Sequence, residues 1–219
     1  MDSRHKRKTY SGEKNDKERT MGKLILSVGK VLGEKGYTGL TIANISKAAG
    51  VDRRLIHLYF GSLDNLIETY IKGKDYWISA SVGAVDFFAG SPQNGSQNFL
   101  ESLLMNQFDE LRRNIEMQRM VAWQICERSE MVSQIVQERE KLSTIFFAFA
   151  DKELQGNEVD LRAISGLLVS AINYITLHSV NTDSTICEID VSKKEGMDRI
   201  KAAIRQILDW AYRSNSNQR

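Results

Sequence analysis

The sequence predicts an all-α protein, and three observations carry that prediction. Apolar residues recur at three- and four-residue spacing along most of the 219-residue chain, the pattern of helices that turn one face to a core. No stretch shows strand-like alternation strong enough to compete with it. A single proline, Pro92, interrupts the chain, which leaves room for long helices. Hydrophobic residues make up 42 % and charged residues 26 %, so a sizeable core can form, and the length suits one large domain or two modest ones.

Residues 1–16 are polar, with Arg4, Lys6, Arg7 and Lys8 clustered. They read either as a disordered tail or as a basic arm that touches phosphates or enters a minor groove. A first helix is expected over 16–35, where Met21, Leu24, Ile25, Val28, Val31 and Leu32 form one stripe. Gly22, Gly29 and Gly33 each weaken it by roughly 1 kcal/mol relative to alanine, so packing must hold it. Gly36 stops it. Thr41 then sits in an N-cap position before Ile42, Ile45 and Ala49. Ala48-Ala49-Gly50-Val51 reads as a tight turn, with Gly50 free to adopt a left-handed conformation. Asp52 is placed to cap a helix over 53–60, whose head carries Arg53 and Arg54. Two short helices joined this way form a helix-turn-helix, and such a motif lays the N-terminal part of its second helix in the DNA major groove.

Ser62 caps a fourth helix expected over 63–85, and 89–97 is the clearest loop. Helical stretches follow at 98–112, 115–127, 131–154, 158–181 and 193–213, with Gln155-Gly156-Asn157 as a break. Charge divides the chain. Residues 1–75 hold 15 Lys and Arg against 9 Asp and Glu; the remainder holds 15 against 19. A basic first part and an acidic remainder suit a polyanionic partner for the first part only.

The segment AAGVDRRLIHLYF, preceded by LILSVGKVLGEKGYTGLT, resembles the TetR/AcrR family of bacterial transcriptional regulators. The likeness covers residues 20–70: Gly36-Tyr37, Thr41 with its following Ile, Ala49-Gly50-Val51, Tyr59-Phe60 and Ser62 stand in the family's order. It implies an N-terminal arm and three-helix DNA-binding domain over 1–62. A larger helical domain over 63–219 would bind ligand and dimerise. It also implies a cytoplasmic regulator, more a repressor than an activator. Such a protein binds a palindromic operator as a homodimer and is released by a small, largely apolar effector.

DNA contacts are then expected from Thr41, through its hydroxyl and helix N-terminus; from Arg53 and Arg54, to guanine or phosphate; and from His57 and Tyr59. Leu63 stands where the family commonly has a phosphate-contacting lysine, and Leu58 where a polar residue is common. Effector contacts are expected from Phe108, Trp123, Tyr174 and His178. The dimer interface is expected on the last two helices, through Ile164, Leu168 and Ile175 on one and Ile200, Ile204 and Leu208 on the other. The alternative is a helical protein-interaction module, or a regulator without a small-molecule ligand.

An enzyme finds little support. GxSxG, P-loop, HExxH and a glycine-rich dinucleotide loop are all missing from the sequence. Three histidines, His5, His57 and His178, are too scattered for a metal site, and Cys126 and Cys187 lack ligand spacing. No cofactor or metal is expected. No unbroken apolar run reaches the roughly 18 residues of a membrane span.

Overall fold

The computed structural model describes residues 12–74, 95–156 and 158–213. The N-terminal basic cluster, the end of the expected fourth helix with Trp77 and Ile78, Phe87 and Phe88, and most of the 89–97 loop lie outside them. The described residues are mostly helical, with no strand and only an isolated antiparallel bridge between Ile186 and Ile189. The chain forms two compact units, Met1–Gly73 and Lys74–Arg219. The expected boundary at 62/63 therefore falls inside the first unit, which also holds most of the fourth helix.

In the first unit, α1 (Gly12–Lys35) packs on α2 (Ile42–Ala49), followed by α3 (Arg54–Phe60) and α4 (Leu63–Lys74). Leu24, Val28, Val31 and Leu32 of α1 are buried, as are Ile45, Ile56, Leu66, Ile67, Tyr70 and Ile71. All four helices thus bury apolar side chains within this unit. Gly36 ends α1 at φ 68° and Gly50 ends α2 at φ 65°, ψ 36°. A side chain at Gly50 would be strained there, which is why the tight turn needs a glycine.

In the second unit, α5 (Ser96–Arg113) is the central rod. It packs against α6 (Ile115–Cys126), α7 (Glu130–Glu153), α8 (Leu161–Thr182) and α9 (Lys194–Arg213). Leu100, Leu104, Met105, Phe108 and Leu111 of α5 meet Leu161, Leu168 and Ile172 of α8 and Ile204 and Leu208 of α9 in one cluster. Polar ties fix the ends. Ser96 donates its backbone N–H and its hydroxyl to the Glu153 carboxylate, at 2.8 and 2.6 Å, and its Oγ lies 2.6 Å from the Tyr212 hydroxyl. Burial pushes the Tyr212 hydroxyl up to about 12, against the Ser96 hydrogen bond and helped by the Glu153 charge. Lys201–Asp109 and Arg205–Glu101 ion pairs, both 2.7 Å, join α9 to α5.

α8 is long and apolar enough, by length and composition, to cross a membrane, with mean hydropathy 1.4. It is no unbroken apolar run, since Arg162, Asn173 and His178 punctuate it. Its inner face belongs to the core of this unit.

Candidate functional site

The helix-turn-helix is built by local hydrogen bonds. Thr41 accepts the Asn44 N–H at 3.2 Å, so its hydroxyl oxygen caps α2. Asn44 in turn donates to the Gly39 carbonyl at 2.9 Å and accepts from Lys35 Nζ at 3.0 Å. After Gly50, the Val51 N–H returns to the Ser46 carbonyl at 3.1 Å. Asp52 accepts the Arg54 N–H at 2.8 Å from just ahead of α3, whose N-cap position is Arg53, without a side-chain cap bond, rather than Asp52 as expected.

α3 buries Ile56 and leaves Arg53, Arg54, His57 and Leu58 exposed. Asp52 grips Arg54 from both carboxylate oxygens, at 3.1 Å to Nε and 2.9 Å to Nη2. That side-chain hydrogen bond, followed by the backbone one, holds the Asp52 carboxyl down at about 2. The Arg54 guanidinium is fully exposed, so the pair is a solvent-screened clasp that a phosphate or a guanine edge can replace. His57 Nδ1 lies 3.2 Å from the Gly61 carbonyl. A carbonyl can only accept, so Nδ1 carries the proton and Nε2 points elsewhere. Tyr59 is half-buried, with Lys17 Nζ of α1 5.6 Å from its ring centre. Its ring is therefore partly committed to packing beside α1. Ser62 accepts the Asn65 N–H at 3.0 Å and caps α4; Leu63, the first residue of that helix, is half-buried.

In the second unit a cleft of about 840 Å³ runs between α5, α7 and α8. Phe99, Leu103, Phe146, Phe147 and Val169 give it apolar walls. Phe146 stacks near Phe99 and Phe147 at 5.7 and 5.0 Å between centroids. The Arg162–Asp151 ion pair, 2.7 Å, stands at one end, with the Arg162 guanidinium over Phe147. Arg139 and Asn173 stand at the other.

The four expected effector residues do not line this cleft, nor the smaller chamber described below. Phe108 is fully buried among aliphatic side chains of the core, and Trp123 is buried on α6. Tyr174 is 60 % exposed on α8, one residue past the cleft-lining Asn173, its ring 5.7 Å from that of His178. Aromatic character marked these positions in the sequence, and core packing absorbs such residues as readily as a ligand site does.

The expected interface residues lie on or beside the inner faces of α8 and α9 in the protomer. Leu168, Ile204 and Leu208 are buried in the protomer's own core, and Ile164, Ile175 and Ile200 pack half-buried against it. The face of α8 turned to solvent instead carries Leu167, Ala171 and Tyr174, with Leu167 71 % exposed; that of α9 carries Ala203 and Trp210, the latter 64 % exposed. Leu167 and Leu168 differ by one residue, but one residue is roughly 100° around a helix.

The segment 29–70 matches the family model for bacterial regulatory proteins, tetR family. Those residues form the end of α1, α2, the turn, α3 and most of α4. Over that segment the chain is similar to the tetR family. Solved structures of the same architecture extend the likeness over the second unit. FadR from Bacillus subtilis, determined with stearoyl-CoA, superposes with TM-score 0.63 at 16 % identity over 88 % of this chain and 98 % of its own. FadR from Bacillus halodurans gives 0.60 at 16 % over 87 % and 97 %. A TetR family regulator from Marinobacter aquaeolei gives 0.59 at 11 % over 90 % and 97 %. No curated protein sequence matches the chain.

In this chain three groups take places that the sequence left open. Leu58 is 71 % exposed on α3 beside the expected cations; its place in the motif was visible, its outward direction was not. Phe99, Phe146 and Phe147 line the cleft together although α5 and α7 are far apart in sequence. Leu167 and Tyr174 lie on the outward stripe of α8, next to residues of the inward one.

Proposed function

We propose that the protein is a dimeric repressor. It reads a palindromic operator through α3 and is released when an apolar small molecule enters the cleft between α5, α7 and α8. The observation that carries the reading is the outer face of the helix-turn-helix. Arg53, Arg54, His57 and Leu58 are exposed together on a short helix whose other side is anchored by buried Ile56. Arginines at the N-terminal end of a recognition helix suit guanine edges and phosphates. The Thr41 hydroxyl, which caps as an acceptor, keeps its proton for a phosphate oxygen.

Two α3 helices must act together for a palindrome to be read, and α8 supports the required dimer. It is apolar on both faces, one of which is spent on the core; the other carries Leu167, Ala171 and Tyr174. A second copy covering that stripe would bury the apolar area that a single protomer leaves in water. The apolar cleft supports an effector site, and FadR with stearoyl-CoA is an example of the architecture holding a long apolar chain. Release would follow if the effector binds one of two dimer states more tightly than the other. The DNA-binding part would extend through α4, to Gly73.

The test is selection of bound duplexes from a random library by the purified protein, with sedimentation of the same sample. A two-fold consensus and a dimer are the expected result. Recovery of no consensus, with retention on random duplex no better than on heparin-free resin, would remove DNA reading from the proposal.

A further inference from the structure

A small chamber of about 40 Å³ adjoins the Arg139 and Asn173 end of the cleft. Those two residues line both spaces. The other walls of the chamber are Gln107 of α5 and Met117, Met120, Val121 and Gln124 of α6. Gln107 is 1 % exposed. Its Nε2 donates to Asn173 Oδ1 at 3.0 Å, but its Oε1 has no hydrogen-bond partner. A buried amide group left unmade is costly, and such a group in a native fold calls for an occupant. The two halves of an amide have the same shape. Turning the Gln107 and Asn173 amides together keeps their mutual bond and presents Gln107 Nε2–H instead. In either setting Gln107 offers the chamber one polar atom.

Arg139 is the only ionisable residue among the described lining residues, and it is held in place by its Nη1–H to Gln124 Oε1 at 3.0 Å. Among its described lining residues the chamber therefore has one positive charge, amide groups and no carboxylate. Its volume admits a group of a few atoms. The cleft that shares Arg139 and Asn173 with it runs from Asn173 back to Arg162, a span of roughly 16 Å along α8, between Phe99, Leu103, Phe146, Phe147 and Val169.

We propose that the chamber is the head-group subsite of an amphipathic ligand: a free carboxylate held by Arg139 and the turned Gln107 amide, with an unbranched hydrocarbon tail along the cleft. This rests on the reading of the cleft as the effector site and names the class of effector. A small carboxylate fits where a nucleotide-bearing thioester head does not.

Binding of lauric acid, methyl laurate, dodecylamine and lauroyl-CoA to the full-length protein at neutral pH, followed by titration calorimetry, tests it. Lauric acid is expected to bind about tenfold or more tighter than the other three, as a charge-assisted hydrogen bond implies. Arg139→Gln should erase that advantage and leave methyl laurate unchanged. Gln107→Leu, which removes the buried unpartnered atom at similar volume, should weaken lauric acid alone. Should it fail to fold by circular dichroism, Arg139→Gln still decides. Equal affinity for the acid and its ester would mean that the chamber holds only water, and would overturn the inference while leaving the cleft as an effector site. An acid preference that survives Arg139→Gln, or tighter lauroyl-CoA, would overturn it too. If none of the four binds, the cleft is no effector site and the inference falls with it.

Discussion

α3 and α8 solve the same problem in different ways. α3 buries Ile56 and turns cations, an imidazole and Leu58 to water. α8 buries Leu161, Leu168 and Ile172 and turns Leu167, Ala171 and Tyr174 to water. A helix with one apolar face declares which side is inside. A helix with two needs a neighbour to decide. On the proposed reading, the outer face of α3 meets a polyanion and the outer face of α8 meets another apolar surface.

The largest expected effect breaks that comparison on α8. Leu168→Ala removes a core side chain and should lower unfolding free energy by about 2–5 kcal/mol, read by thermal or denaturant melts. Leu167→Glu with Tyr174→Glu should leave the melt of the protomer little changed yet give monomers by sedimentation, with operator affinity falling alongside. If the outward pair stays dimeric while folded, another surface makes the dimer.

On α3, Arg53→Ala and Arg54→Ala should each cost about 1–3 kcal/mol of operator binding where the arginine reads a base. Circular dichroism should be unchanged, because both side chains are exposed. Unaltered operator affinity in the folded double variant would take these arginines out of the interface.

Leu58 gives a smaller and sharper effect. An exposed apolar side chain on this face fits the methyl group of thymine. Leu58→Ala should weaken a thymine-containing operator by about 1 kcal/mol, near the value of a buried methylene. Replacing the contacted thymine with uracil should cost the natural protein a similar amount and the variant nothing. A uracil penalty that persists in the variant would assign the methyl contact to another residue.

The smallest effect concerns the clasp between Asp52 and Arg54. The Asp52 carboxyl is held at about 2, below its ordinary 3.8, by the Arg54 side chain first and the Arg54 N–H second. A depressed carboxyl contributes stability that is present above about 3.8 and lost as pH falls through about 2. Amide resonances of Arg54 and Leu55 should therefore shift in that window, and Asp52→Asn should flatten the titration. A midpoint near 3.8 in the unsubstituted protein would mean that the clasp does not form in solution.

Much of the first unit was legible because its signals are local. Thr41, Gly50 and Ser62 cap or turn through atoms within a few residues, and each acts as its neighbours in sequence require. The boundary was not legible, since α4 buries its apolar side chains in the same unit as α1 and α2. The residues of the cleft were illegible for the same reason: Phe99 and Phe146 meet only once α5 and α7 pack.

By itself the sequence determined the all-α class, the order of the helices, the helix-turn-helix and the cations at its head. These follow from periodicity, capping chemistry and backbone freedom, which act over one or two turns. Tertiary structure decided which side of α8 and α9 faces the core, which aromatic residues enclose space rather than fill it, and where Gln107 lacks a partner. Those outcomes depend on how distant helices rotate about their axes as they pack, and a rotation of one residue exchanges the inner stripe for the outer one.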